Sequence, residues 1–543
     1  MRTGNSLVLL LLLLIPSLGF CQSLYWVGFP DKNRSEYSTE IPEKFLSKKA
    51  INRRAKQQIE ITAEDLPVCN HYIDSVKKTG AEILFALKWL NGVVVRPTNE
   101  QLEAIKKTNL SFSVISIYEP LPRSTTLRGT NKLGLSNRTD FNHSYYGNGF
   151  DAVDLIKGPF LHQLGYKGQG KLIAIIDDGF YHANQLNLFA DAFSNNRVIA
   201  TKDFVNPTSN IFEEDSHGMH VFSVIGTNTP TKMVGTAPEA NYLLLRSEDY
   251  NSEQLVEEYY WAAAAEYADS MGADIINTSL GYTTFDIPSQ NHAYADLTGD
   301  VTPISKSCTI AASKGMIIVC SAGNEGNNAW KYISAPADAK GILTVGAVPI
   351  DSIPSSFTSI GPSADGRIKP EIVALGSRVG IIDDLGIPSQ GNGTSYAAPI
   401  IAGMSACLWQ AFPNLSANQI RQALISSASR YSNPTEKLGY GIPNTQLAYY
   451  NLLNESGESH CIEPEMYPNP VSGELRITLH NATAGEATIA IYSGSGVCVF
   501  RKQWLVTSSI DTTIQINANL SKGIYIAHLT CGACHWREKL VKQ

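Results

Sequence analysis

Four short segments carry residues that together could split an acyl bond. Leu172-Ile-Ala-Ile-Ile-Asp177-Asp178-Gly179 is an apolar run ending in acid and then glycine. His217-Gly218-Met219-His220-Val221 sets an imidazole where a helix would begin. Val319-Cys-Ser-Ala322-Gly323-Asn324-Glu325-Gly326 ends a second apolar run in Gly-Asn. Gly393-Thr-Ser395-Tyr-Ala-Ala-Pro399 places a serine among small residues at the head of an Ala-rich stretch. A serine nucleophile needs a base to take its proton, a carboxylate to orient that base, and N–H donors for the oxyanion. Ser395, His217 and Asp177 fill the first three roles, and the Asn324 amide can fill the fourth. A helix starting at Ser395 would add unpaired N–H groups and the positive end of its dipole.

Each segment alone has a plainer reading. Asp177-Asp178-Gly179 could be a solvated turn, and Ser395 an ordinary helix N-cap. His217 and His220 have the spacing of a metal pair, but the glutamate of a His-Glu-x-x-His zinc site and a third ligand are missing. It is the combination that points to hydrolysis.

The elements that must position these residues follow from the apolar pattern. Between about Asp151 and Tyr450, short continuous runs rich in β-branched residues alternate with helical segments. The runs are Leu172 to Ile176, Asn241 to Arg246, Asp274 to Thr278, Met316 to Ser321 and Ile342 to Val348. Ser252 to Met271 and Ser305 to Lys314 have helical spacing. Continuous rather than alternating apolar strands imply a parallel sheet buried on both faces. Helical crossovers then make a three-layer α/β domain. Such sheets place their sites at the carboxyl ends of the strands, where Asp177 and Asn324 fall.

In the order Asp, His, Asn, Ser the four segments resemble the subtilase family. Gly235-Thr-Ala-Pro238, Gly272 to Gly281, Phe357 to Gly361, Asp365 to Pro370 and Gly439 to Asn444 extend the resemblance over about Gly168 to Ala448. The resemblance implies a secreted serine endopeptidase that works through an acyl-enzyme and acts on proteins or peptides. Asp177 would orient His217, His217 would deprotonate Ser395, and Asn324 with the Ser395 N–H would hold the oxyanion. Ser279, Leu280 and Gly281 would pair with the substrate backbone and wall its first pocket, opposite Ala322 and Gly323. Ala335-Pro336 would be cis. Asp178, Met219 and Tyr396 depart from the family's usual Thr or Ser, Thr, and Met. They leave open a second reading, a catalytically impaired subtilase fold used for binding or adhesion at the cell surface. No cofactor is required for the chemistry and no catalytic metal is assigned. Structural calcium, common in the family, could use the acidic loop of Asp296 and Asp300.

With 543 residues the chain exceeds one ordinary domain of roughly 150 residues. Residues 1–21 read as a signal peptide: Arg2, an apolar core from Leu7 to Ile15 too short to span a bilayer, then Pro16 and small residues. Residues 22–121, with a basic helical patch at Lys48 to Lys56 and the element order β, α, β, β, α, β, resemble a subtilase pro-domain. A permanent N-terminal domain is the alternative. Residues 122–148 are polar and aperiodic, a linker where processing would fall. The catalytic domain is taken as 149–453. From 461 to 543 several short alternating strands suggest a β-sandwich. Its Tyr467-Pro-Asn-Pro470 opening and Lys-rich end resemble the sorting module of type IX secretion, against the alternative of a carbohydrate-binding or substrate-binding sandwich. The expected location is therefore outside the cell or on its surface, reached through the periplasm of a Gram-negative bacterium by way of the type IX machinery. A net charge of −7 argues against a nucleic-acid footprint, and a monomer is expected. Cys308, Cys320 and Cys407 lie in apolar runs and read as buried thiols.

Overall fold

A computed structural model describes residues 23–108, 113–121, 145–456, 464–479, 485–493, 497–506, 512–516, 520–531 and 534–543. The expected signal peptide and nearly all of the expected linker lie outside the described residues.

The N-terminal unit is built from β1 (Leu24–Gly28), α1 (Lys48–Lys56), α2 (Asn70–Lys77), β2 (Glu82–Leu87), β3 (Gly92–Arg96), α3 (Asn99–Lys107) and β4 (Ser113–Tyr118). Its sheet is antiparallel in the order β2-β3-β1-β4. Successive side chains of a strand face opposite ways, and here both faces are used. Val27, Val93 and Val95 pack with Ile105 in the unit's own core. Trp26, Val94 and Ile117 on the other face pack against the next unit.

The second unit contains β5 (Leu172–Asp177), β6 (Val198–Asp203), α4 (His217–Gly226), β7 (Asn241–Arg246), α5 (Val256–Met271), β8 (Ile275–Thr278), α6 (Pro303–Ser313), β9 (Ile317–Ser321), β10 (Leu343–Val348), β11 (Ile372–Leu375), α7 (Thr394–Ala411) and α8 (Ala417–Ser426). The seven strands form one parallel sheet in the order β11-β10-β9-β8-β5-β7-β6. Ile173 and Ile175 of β5 face a core shared with α4 and α7. Leu172, Ala174 and Ile176 face a second core shared with α5 and α6. Both faces being buried explains the unbroken apolar run. β6 and β11, which the apolar pattern did not single out, are the two edge strands. β6 is half solvated and carries Thr201 and Lys202.

The Ala335–Pro336 peptide is cis, as the resemblance implied. Cys308, Cys320 and Cys407 are fully buried, and burial pushes each thiol far up, so they stay protonated and unreactive.

At the C-terminal end Glu465–Tyr467, Leu475–Leu479 and Thr512–Ile516 make one antiparallel sheet. Gly485–Ser493, Cys498–Val506, Gly523–Cys531 and Cys534–Lys542 make a second. Met466 and Ile477 of the first share a core with Ile489, Ala527 and Leu540 of the second, which is the expected sandwich.

Candidate active site

Asp177 is the last residue of β5 and fully buried. His217 is the first residue of α4, and its Nδ1–H donates to Asp177 Oδ1 at 2.6 Å. With the proton held on Nδ1, Nε2 is left as the acceptor. The approach is close because residue 218 is glycine. A Cβ there would stand 2.4 Å from the Gly179 carbonyl oxygen and 2.8 Å from Asp177 Cβ. Gly218→Ala should push the helix start off the strand and misplace the imidazole. We expect kcat to fall about a hundredfold, measurable against a wild-type thermal midpoint shifted far less in proportion.

Asp178 stands where the family usually carries Thr or Ser. Its Oδ1 accepts from the Gly218 N–H at 3.2 Å, so it holds the start of α4. Arg246, 4% exposed, fastens the same turn from below. Its Nε donates to the Asp178 carbonyl at 2.9 Å, its Nη1 to Asp203 Oδ2 at 2.9 Å, and its Nη2 lies 3.3 Å from Glu214. Arg246→Met would leave the Asp203 carboxylate buried without its cation. That should cost about 3–5 kcal/mol, read as a lower urea midpoint at unchanged slope.

Ser395 is the second residue of α7. Its hydroxyl donates to the Ser279 carbonyl at 2.9 Å, and the Ser279 hydroxyl donates to the Ser395 carbonyl at 2.8 Å. Asn277 Nδ2 in turn donates to Ser279 Oγ at 3.0 Å. The end of β8 and the head of α7 are thus clasped reciprocally. Ser279, placed in the sequence as a substrate contact, spends its hydroxyl on the Ser395 backbone. Asn324 Oδ1 accepts from both the N–H and the hydroxyl of Thr394, at 2.9 and 3.0 Å. Its Nδ2 is therefore the end left over. A methyl built on Gly393 would lie 3.8 Å from both Asn324 Nδ2 and Ser395 Cβ, so the two groups border the same space.

Leu280 is buried and Gly281 exposed after β8; Ala322 is buried and Gly323 partly exposed after the neighbouring β9. Built Cβ atoms on Gly281 and Gly323 would stand 2.3 and 2.8 Å from the same Ser334 Oγ. The two stretches therefore meet over one serine. Tyr396 sets its ring 5.8 Å from the His217 ring at 43°. Sequence reasoning assigned no role to Thr394, Ser334 or Arg246. Thr394 sits inside the serine segment, but its hydrogen bonds to Asn324 cross 70 positions.

Three groups of ligand-type side chains bear on a metal. His217 and His220 turn to different carboxylates: His220 Nε2 meets Asp384 Oδ1 at 2.8 Å. Asp177, Asp178 and His217 do bring ligand-type atoms within 4.8 Å of one another, yet Nδ1 of His217 is committed to Asp177. The loop proposed for calcium does not fit it. Asp300 is ion-paired with Lys340, and Asp296 Oδ2 caps the Ala293 N–H at 2.8 Å.

A profile of the Subtilase family matches residues 168–442, half of the chain. The chain belongs to the subtilase family. Two further profiles flank that match: the Peptidase S8 propeptide domain of Bacteroidota over residues 24–130, and a secretion system C-terminal sorting domain over 465–543. Subtilisin DY of Bacillus licheniformis is 28% identical over 299 residues, covering 55% of this chain and 97% of its own. Serine protease AprX of Bacillus subtilis (strain 168) is 26% identical over 309 residues, covering 51% of this chain and 66% of its own. Among solved structures, the epidermin leader peptide processing serine protease EpiP of Staphylococcus aureus superposes with a TM-score of 0.54 at 16% identity, covering 79% of this chain and 98% of its own; that likeness concerns the fold. As a subtilase with a propeptide the protein is a serine endopeptidase made as a precursor. Its sorting domain marks it for export or surface display through type IX secretion.

Proposed function

We propose that Asp177, His217 and Ser395 are the catalytic triad and that Asn324 with the Ser395 N–H forms the oxyanion hole. The observation carrying this reading is the 2.6 Å Asp177–His217 hydrogen bond, with the ring of Tyr396, the residue that follows Ser395 at a helix start, 5.8 Å from the His217 ring. When substrate binds, the Ser395 hydroxyl turns from the Ser279 carbonyl to His217 Nε2, which takes its proton as Oγ attacks the scissile carbonyl carbon. The oxyanion is met by Asn324 Nδ2 and by the Ser395 N–H, which the first helical turn leaves without an intrahelical acceptor. His217 passes its proton to the leaving amine and the acyl-enzyme remains. Water, deprotonated by His217, releases the acid and restores Ser395. The backbone of Ser279, Leu280 and Gly281 pairs with the peptide, whose first side chain lies between that stretch and Ala322-Gly323. The precursor is self-inhibited and is cut within 122–148. The enzyme acts as a monomer after passing through the periplasm.

A phosphonofluoridate, which phosphonylates a serine activated by a base, tests it. Linker-cleaved enzyme should take up one equivalent, peptide mapping should place it on Ser395, and casein hydrolysis should fall in step. His217→Ala should label at least about a thousandfold more slowly. Folded enzyme that hydrolyses casein but carries the label elsewhere, or none, would remove Ser395 from the chemistry.

A further inference from the structure

Four acids gather where the loop after β7 meets the start of α5. The Ser247 N–H donates to the Asp177 carbonyl at 2.9 Å, so the chain leaves the sheet beside Asp177. Glu248 and Asp249 follow, and Glu253 and Glu257 carry the loop into the first turn of α5. Glu248 Oε1 accepts from the Tyr282 hydroxyl at 3.1 Å, and Tyr282 is the residue after Gly281. A second strap holds the loop. The Glu253 N–H donates to Asp286 Oδ2 at 3.0 Å, and the Glu253 carbonyl accepts from the Asp286 N–H at 2.8 Å.

Glu257 is the unsatisfied member. It is 1% exposed, and its Oε1 has no hydrogen-bond partner. Ser247, fully buried, also leaves its hydroxyl unpartnered. A helix start favours an acid, and the neighbouring Glu258 is fully served there: it pairs with His292 and accepts from the Ile304 N–H at 3.2 Å. Around Glu257 the sign is wrong. Burial, then Glu253, Glu248 and Asp249, pushes its carboxyl well above the usual range. Arg246, the nearest cation along the chain, is spent on Asp178, Asp203 and Glu214 and comes only within 3.9 Å of Asp249. A buried polar atom without a partner is costly, and a cation would supply one. The acids do not crowd as metal ligands do: among the described residues no three of them bring ligand atoms within 4.8 Å of one another. That spacing suits the ammonium or guanidinium of a long side chain. Peptide already lies along this loop, since the N–H and carbonyl of Glu119 pair with the Gln254 side chain at 2.8 and 3.0 Å.

We propose that this acidic loop is a specificity pocket for a basic side chain, lysine or arginine, on the second residue before the scissile bond. The inference rests on reading Ser279 to Gly281 as the stretch that pairs with substrate. The sheet order then sets the position. The first side chain lies between the ends of β8 and β9. The acids stand at the end of β7, beyond β5 and on the other flank of β8. Successive side chains of an extended peptide point opposite ways, so the next residue turns toward β7. Its cation meets Glu257 Oε1, with Glu248 and Asp249 adding charge of the matching sign.

The test gives casein-hydrolysing enzyme a set of quenched peptides that differ at this residue alone: arginine, norleucine or glutamate, with the cut bond checked by mass. kcat/KM should be about 10-fold to 100-fold higher for arginine than for norleucine, and lowest for glutamate. Glu257→Gln keeps the shape and removes the charge, and should bring the arginine-to-norleucine ratio close to one. Should that variant not fold, Glu248→Gln is read for a fall in the same ratio. Equal kcat/KM for arginine and norleucine in the wild type, or a ratio that the folded variant leaves unmoved, overturns the pocket while turnover still depends on Ser395. Turnover that survives Ser395→Ala overturns the site reading and this inference together, so the two failures are told apart.

Discussion

Ser395→Ala is expected to leave the precursor full length and its casein hydrolysis about a millionfold below that of processed wild type, a size taken from removal of the nucleophile in subtilisin, a member of this same family. A millionfold corresponds to about 8 kcal/mol of transition-state stabilisation. In the proposed site no other group can replace the lost oxygen, because His217 and the oxyanion donors serve this one position. The fold should barely notice. The side chain gives up one hydrogen bond, to the Ser279 carbonyl, worth about 1 kcal/mol, while Ser279 keeps its own bond to the Ser395 backbone. Intact mass and casein turnover, read beside an unchanged thermal unfolding curve, check this. Self-trimming by the alanine variant at the wild-type rate would mean another nucleophile.

Asn324→Leu should lower kcat by about a hundredfold to a thousandfold with KM nearly unchanged; that magnitude too comes from subtilisin. The split between constants is the informative part. A donor aimed at the developing oxyanion is used in the transition state and little in the ground state, so its loss appears in kcat. The direction of Nδ2 is set because Thr394 occupies Oδ1 twice. Thr394→Val keeps the backbone donor and removes the hydroxyl. It should therefore fall between wild type and Asn324→Leu in kcat, again without a large change in KM. If Asn324→Leu raised KM and left kcat alone, the amide would be a substrate anchor.

The sheet was legible where burial is symmetric. β5 reads as Leu-Ile-Ala-Ile-Ile because α4 and α7 cover one face and α5 and α6 the other. β6 escaped because an edge strand with a wet face need not be apolar throughout. The positions of Asp177, His217 and Ser395 were legible because each stands in a local frame, a strand end or a helix start, that its neighbours announce. The supports were not, since they act across space. Thr394 reaches Asn324, Ser334 underlies both Gly281 and Gly323, and Arg246 braces Asp178. The patch from Lys48 to Lys56 announces its charge but not its destination. Nothing local tells Arg54 from Lys56, yet Arg54 finds Asp269 across 215 positions while Lys56 lies exposed.

The strand order has a kinetic consequence. β5 pairs with β8 in the register Ile173 to Ile275, and β9 lies beyond β8, so the neighbours that assemble the site are remote along the chain. Asp177 and Ser395 are separated by 218 positions (395 − 177). Contacts of such long range form late and slowly, because the entropy of closing large loops must be overcome before they give anything back. No collapsed fragment of this chain that lacks its central strands can hydrolyse anything. Until those pairings form, the chain carries the residues of a hydrolase without the site that would use them.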